Sequence, residues 1–302
     1  MIPPLLARNV RAYWPERGDE WLAALPDLLD DIIADWGLMM AEPHRMTIHW
    51  VSSIVRGDGT SGVLKLGVPD GHLDAEAEAL RIFDGDGAVR LLAEDPKRGA
   101  MLLEKIIPGT PVASLEDDEE ATTVLIRTGQ RLHRVPPEGC TLPHLRTLAR
   151  SFAKYPADGI VPPRMVERAA RLFGELCQSA PADVVLHGDL HHENVLRRES
   201  DGENTLHRGH TDGSDWLAID PHGFVGDAGY DGGAMLYNPD PENRDESLLR
   251  LVPRRIEQLA EHDELDRVVA WGFVMGVLAQ VWGGDRPGRA LDVATLLEPR
   301  LP

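Results

Sequence analysis

An α+β fold in two lobes, a small antiparallel-sheet N-lobe followed by a mainly helical C-lobe, is what this sequence predicts. Three observations carry that expectation. Short apolar runs of strand character are concentrated between about residues 40 and 107, with one amphipathic helix among them. Beyond Pro108, apolar residues recur at helical spacing in four separate stretches. Those helices are interrupted by one polar hairpin, Val184-Val-Leu-His-Gly-Asp-Leu-His-His-Glu-Asn-Val-Leu196 followed by Trp216-Leu-Ala-Ile-Asp-Pro-His-Gly223. The expected division is residues 1–107 and 108–302, and a chain of 302 residues can bury a substantial core.

In chain order, Glu16 to Trp36 has apolar residues at helical spacing and stops at Gly37, a helix C-cap. Gly62-Val-Leu-Lys-Leu-Gly67 reads as a strand after the turn Gly57-Asp-Gly59. A helix from Leu73 to Phe83 follows, with Leu80 and Phe83 marking its buried face. Val89–Leu92 and Met101–Gly109, the second ending in Pro-Gly, are two strands around the polar turn Glu94–Gly99. Helices are expected at Asp118–Arg134, Pro163–Cys177, Asp245–Glu261 and Leu265–Val281, with Pro253 breaking or starting a helix within the third.

The hairpin carries the chemistry. Runs at 183–186 and 194–196 read as short buried strands, so the polar residues between them form a tight loop with Asp189 at its tip beside Gly188. A carboxylate there can accept a hydrogen bond from a substrate hydroxyl and aim its oxygen. Asn194, five positions on, and Asp220, on the following strand end, offer hard oxygen ligands suited to magnesium on nucleotide phosphates. This order and spacing is what phosphoryl transfer uses. The polar insert Arg197–Asp215 reads as the exposed turn of the hairpin.

Phosphoryl transfer also needs a lysine on a strand and an acid on a nearby helix. Lys65 stands among strand apolar residues in a chain with only four lysines. Glu76 precedes Leu80 by four and Phe83 by seven, so it shares their helix face, whereas Glu78 is turned away. The plainer readings are a snorkelling edge lysine and an acid favouring the helix dipole. A different class is also open, because His187, Asp189, His191, His192, Asp220 and His222 could together ligate zinc in a hydrolase. A nucleotide-binding module without turnover is a third.

The net charge of −19 disfavours nucleic acid and suits a cationic small-molecule acceptor. Cys140 and Cys177 provide no disulfide framework. With neither a long apolar run nor a charged-then-apolar amino terminus, the expectation is a cytoplasmic protein that does not span a membrane.

Ordered blocks along nearly the whole chain resemble the aminoglycoside/hydroxyurea antibiotic-resistance kinase family, which includes streptomycin 6-phosphotransferases, within the protein-kinase-like superfamily. They are Trp21–Pro26, Asp58-Gly-Thr60 before Val63-Leu-Lys65, Gly85–Leu92, Leu102-Leu-Glu104 with Pro108-Gly109, Leu186–Leu196, Trp216–Pro221, and Gly226-Asp227 with Tyr230-Asp231. The resemblance implies a two-lobed protein-kinase-like fold, Asp189 as catalytic base, Asn194 and Asp220 as magnesium ligands and Lys65 on the phosphates. It implies ATP as donor and a hydroxyl as acceptor, streptomycin or a related aminocyclitol first, with hydroxyurea or another small metabolite as the alternative. Adenine would be met by the backbone near Glu104, Lys105 and Ile106. The chain departs from its relatives at the nucleotide loop, where Glu42–Trp50 lacks glycine and only Ser52 and Ser53 lie nearby, so Arg45 or His49 is the substitute expected at the phosphates. By position in the C-lobe, Asp227, Tyr230, Asp231, Trp282 and Asp285 are the acceptor contacts to look for. Against this, Asp231 could cap a helix, Asp227 could bond its own turn and Trp282 could be core. The ligand site is expected in a cleft between the lobes.

Overall fold

The computed structural model describes residues 2–44, 46–199 and 215–301. Arg45 and most of the polar insert of the hairpin lie outside the described residues. The chain divides into two compact units, Met1–Gly85 with Val89–Ile106, and Asp86–Ala88 with Ile107–Pro302.

The first unit begins with α1 (Pro4–Tyr13) and α2 (Gly18–Trp36). Gly37 ends α2 as expected, at φ 60, with its N–H bonded to the Ala34 and Ile33 carbonyls. The sequence reading had no α1, because so short a helix needs only Leu6 and Val10, one turn apart, to reach the core. Five antiparallel strands follow: β1 (Leu38–Pro43), β2 (Trp50–Arg56), β3 (Ser61–Leu66), β4 (Leu91–Asp95) and β5 (Ala100–Glu104), in the order β1-β2-β3-β5-β4. Helix α3 (His72–Phe83) joins β3 to β4. Leu6, Val10, Leu25, Ile32, Leu64, Leu66 and Leu102 build one core from both helices and the sheet. Each such side chain contributes about 1.5–3 kcal/mol by leaving water. Alternation along β3 puts Leu64 and Leu66 in that core and turns Lys65 to the other face.

In the second unit, β6 (Pro108–Pro111), β8 (Val195–Arg198) and β9 (Trp216–Ala218) form an antiparallel sheet in the order β6-β8-β9. A separate pair joins β7 (Val184–Leu186) to β10 (Phe224–Gly226). The helices are α4 (Asp118–Leu132), α5 (Ala149–Lys154), α6 (Pro163–Gln178), α7 (Asp231–Ala234), α8 (Glu246–Leu249), α9 (Val252–Leu259), α10 (Leu265–Trp282) and α11 (Arg289–Leu297). The third long helix expected from the sequence is two, α8 and α9, with Pro253 in the first turn of α9. Asp86–Ala88 join this unit because Ala88 bridges to Ala218 and because Arg131 and Arg134 both bond Asp86.

Helix α10 is long and apolar enough to cross a membrane by composition, yet it packs against α6, α7, α9 and α11. Trp271, Phe273, Val274, Val277 and Leu278 are buried along it, the pattern of a core helix that is apolar all round. Edge-to-face contacts of Trp271 with Phe173 and Tyr230 tie the segment before α7 into this core.

Candidate active site

Two polar centres are present, one in each unit. In the first, Lys65 Nζ lies 2.8 Å from Glu76 Oε1 and 2.6 Å from Oε2, with side chains only 4% and 7% exposed. Strand alternation supplies the ammonium and the helical repeat supplies the carboxylate, since Leu73, Glu76, Ala77, Leu80 and Phe83 form the buried face of α3. A bidentate pair this dry fixes the ammonium in place.

The other residues expected around a nucleotide are placed differently. Ser52 and Ser53 lie within β2 and are buried. The Ser52 hydroxyl donates to the Glu42 carbonyl at 3.2 Å, and the Ser53 hydroxyl pairs with His44 Nε2 at 2.9 Å. Expected beside the nucleotide, both hydroxyls instead hold the β1–β2 region together. His49 packs its ring over Gly67, where a Cβ would meet its Cδ2 at 2.6 Å. Glu104 ends β5 and accepts the Arg90 N–H at 3.2 Å through Oε2. Lys105 is half-buried and Ile106 buried. Burial, and then the charge of Lys105, push His44 below its ordinary value.

In the second unit the polar loop is held by backbone. Antiparallel β7 and β10 set its start, and β8 paired with β9 sets its end, with Ile219 N–H donating to the Asn194 carbonyl at 2.9 Å. Asn194 and Asp220 therefore flank the same end of the β8–β9 ladder. His187, fully buried, spans both segments: its Nε2 donates to the Ile219 carbonyl at 2.9 Å and its own carbonyl accepts His222 N–H at 2.7 Å. Its Nδ1 accepts the Asp189 N–H at 3.2 Å, and burial keeps the ring neutral by pushing its pKa down. Gly188 takes φ +87, where a Cβ would meet Phe224 at 2.8 Å and His222 at 3.0 Å, so the sharp turn before Asp189 requires glycine.

Asp189 itself keeps 35% of its side chain exposed. Asn194 Nδ2 donates to the Asp189 carbonyl at 3.0 Å and lies 3.5 Å from its Oδ2. His191 Nε2 is 3.4 Å from the same Oδ2, and His191 Nδ1 donates to Glu193 Oε2 at 2.8 Å. Burial opposes charge on His191, but the two carboxylates win and raise it to about 9. Burial likewise opposes charge on Asp189, and the hydrogen bond and charge of His191 outweigh it and hold the carboxyl well below its usual range. Asp220 adopts φ 57, a left-handed conformation unusual for a residue with a Cβ and concentrated at functional sites.

Asp231, Asp227 and Tyr230, expected as acceptor contacts, are buried and serve the fold. Asp231 accepts the backbone N–H of His187 at 3.0 Å and of Gly188 at 2.8 Å, and pairs with His133 Nε2 at 3.0 Å. It clamps the loop from beneath. Asp227 accepts from Gly229 N–H at 2.9 Å, Trp271 Nε1 at 3.1 Å and the Arg267 guanidinium. Tyr230 packs between Phe224 and Trp271. Trp282 is half exposed, its indole N–H bonded to Ser151 at 3.0 Å, and Asp285 is exposed in the turn beyond. Neither hydrogen-bonds to the catalytic loop among the described residues. His133, the clamping role of Asp231 and the Glu193–His191 pair were missed. Nothing in their local sequence announces contacts made across as many as 98 positions.

The zinc reading does not survive this geometry. Both nitrogens of His187 are engaged, His192 is buried, and among the described residues no three of His, Cys, Asp or Glu gather as metal ligands. The donors do fit magnesium, which takes one or two protein oxygens and completes its shell with phosphates and water. With Nδ2 of Asn194 turned to Asp189, its Oδ1 and the Asp220 carboxylate are the hard oxygens available.

The family model for the aminoglycoside/hydroxyurea antibiotic resistance kinases matches residues 40–286. The chain belongs to this family. It is 34% identical over 309 residues to the streptomycin 6-kinase of Streptomyces glaucescens, covering 98% of this chain and 94% of that one. It is 36% identical over 245 residues to the hydroxyurea phosphotransferase of Kitasatospora aureofaciens, covering 76% of this chain and 66% of that one. A solved aminoglycoside phosphotransferase in ternary complex with ADP and hygromycin B superimposes with a TM-score of 0.54 over 90% of this chain and 95% of that chain, at 14% identity. The two-lobed protein-kinase-like fold expected from the sequence is thus the fold observed, and the chain is an ATP-using phosphotransferase acting on a hydroxyl acceptor.

Proposed function

We propose that this enzyme transfers the γ-phosphoryl group of ATP to a hydroxyl of streptomycin or a closely related aminocyclitol, with Asp189 as the residue that receives and aims that hydroxyl. The observation that carries this is a half-open carboxylate on a loop otherwise locked by His187, Gly188 and Asp231. A carboxyl held below its ordinary range is a weak base, so its first task is orientation. The acceptor oxygen attacks phosphorus, the bond from phosphorus to the β,γ-bridging oxygen breaks, and ADP leaves. The hydroxyl proton passes to Asp189 late, once bonding to phosphorus has made it acidic.

Asn194 Oδ1 and the Asp220 carboxylate would hold magnesium, which when bound neutralises charge on the phosphates. Lys65, aligned by Glu76, is a fixed ammonium of the kind that holds nucleotide phosphates. Such an enzyme works where ATP is, in the cytoplasm. The streptomycin reading is favoured over hydroxyurea by coverage, 94% of the streptomycin kinase against 66% of the hydroxyurea phosphotransferase. The net charge of −19 also suits a guanidinium-bearing acceptor. The test is mass spectrometry of products after incubation with ATP, magnesium and, separately, streptomycin, other aminoglycosides and hydroxyurea. A single phosphate added to streptomycin supports the assignment. Phosphorylation of hydroxyurea alone would replace the acceptor.

A further inference from the structure

Between the carboxylate of Asp189 and the backbone of Asp240 stand two side chains, His191 and Glu193, that the reaction as described leaves unused. His191 Nε2 faces Asp189 Oδ2 at 3.4 Å, and Nδ1 donates to Glu193 Oε2 at 2.8 Å. The Glu193 N–H also lies 3.2 Å from Nδ1, but a carboxylate is the only acceptor of the two, so Nδ1 carries a proton, as does Nε2 towards Asp189 in the charged ring. The other oxygen of the same carboxylate, Glu193 Oε1, accepts the Asp240 N–H at 3.2 Å.

What Glu193 holds through Asp240 is a segment with a preset shape. Asp240 has φ 52, and Asn243 N–H closes a turn onto its carbonyl at 3.0 Å. Two buried guanidinium groups hold this segment by its backbone. Arg289, 1% exposed, donates to the Pro239 carbonyl at 2.7 Å, to the Asn243 carbonyl at 2.7 Å and to the Asp240 carbonyl. Arg255, 2% exposed, donates to the Asn238 carbonyl at 2.7 Å and to the Met235 carbonyl. The backbone is therefore fixed from beneath, while Asp240, Pro241 and Glu242 stay exposed. The segment is thus linked to Asp189 through two side chains, His191 and Glu193.

We propose that Glu193 is a positioning residue that registers the Asn238–Asn243 segment against the catalytic carboxylate. One of its oxygens aligns His191 on Asp189, and the other fixes the Asp240 amide. The direction of Asp189 and the placement of that segment are then set by one side chain. This rests on the reading of Asp189 given above. Orienting partners one step removed from a reacting group typically alter activity by about 10–100-fold.

The test compares Glu193→Ala and Glu193→Gln in the full chain with wild type and Asp189→Ala. It measures streptomycin kcat, KM for streptomycin and ATP, and amide hydrogen exchange in 238–243. Exchange needs no acceptor and so reads the segment even without turnover. Glu193→Ala is expected to lower kcat by about 10–100-fold, leave KM for ATP within about twofold and speed exchange in 238–243. Glu193→Gln keeps a carbonyl for the Asp240 amide, so it should restore slow exchange while recovering kcat only in part. Wild-type kcat in Glu193→Ala, or a lowered kcat with exchange unchanged, would overturn the proposal. Full activity in Asp189→Ala would instead remove the reading it rests on, and a dead Asp189→Ala beside a normal Glu193→Ala would remove the proposal alone.

Discussion

In the first unit a buried carboxylate, Glu76, meets a buried ammonium; in the second a buried carboxylate, Asp231, meets two backbone amides and an imidazole. The first arrangement positions one side-chain atom, Lys65 Nζ, and asks nothing of the backbone beyond a strand and a helix. The second shapes the chain itself, bending His187 and Gly188 so that Asp189 projects. A side-chain pair can be exchanged for another of equal volume with the fold intact, whereas a carboxylate that caps backbone donors has no apolar substitute. The chemistry assigned to each follows: a fixed charge in one unit, an aimed oxygen in the other.

The largest effect should come from breaking the backbone clamp. Asp231→Ala strands two buried amides, each costing about 1–3 kcal/mol, and frees the turn before Asp189. Both thermal stability and turnover should fall, and a variant that keeps wild-type kcat would show that Asp189 is aimed by something else. Next comes the ion pair, where Glu76→Ala takes the carboxylate away from a buried ammonium at a cost of about 3–5 kcal/mol. The double variant Lys65→Met with Glu76→Leu should recover most of that stability in denaturant unfolding, yet stay impaired in ATP use. Recovery of both would deny the pair its phosphate role. Gly188→Ala places a Cβ against Phe224 and His222 at φ +87, so a loss of about 1–3 kcal/mol is expected in the same unfolding experiment.

The smallest effect concerns His192, whose two ring nitrogens are buried without a hydrogen-bond partner among the described residues. Burial first, and then the charge of Arg255, lower its pKa to about 3. The fold therefore keeps it neutral while the unfolded chain protonates it near the ordinary 6.5. Its contribution is complete above that value and is lost as pH falls from it towards 3. His192→Leu removes this dependence, so the variant should gain on wild type by up to about 1.4 kcal/mol per pH unit of acidification in that window. Parallel melting curves from pH 7 to pH 5 would contradict it.

The same contrast explains what could be read before folding. Lys65 and Glu76 were legible because strand alternation and the helical repeat each assign a face, and the two faces meet. Asp189, Asn194 and Asp220 were picked out by their spacing, and the structure sets Asn194 against Asp189 and places Asp220 beside the same end of the β8–β9 ladder. Asp231 and Asp227 were found as positions, but their bonds to the loop backbone and to α10 were not, since those partners lie far along the chain. Ser52 and Ser53 misled because composition near a loop says nothing of which hydroxyls a strand will bury. The links of Glu193 to Asp240 and of Arg289 to the 239–243 carbonyls leave no periodic or spacing signal at all.

The account turns on Asp189 as the group that aims the acceptor oxygen at phosphorus. The direct measurement is single-turnover transfer of labelled γ-phosphate from ATP to streptomycin by wild type and Asp189→Asn, with nucleotide affinity recorded alongside. Transfer should slow by about 10²–10⁴-fold while ATP affinity stays within about twofold. Transfer at the wild-type rate by Asp189→Asn, with ATP bound equally well, would contradict it.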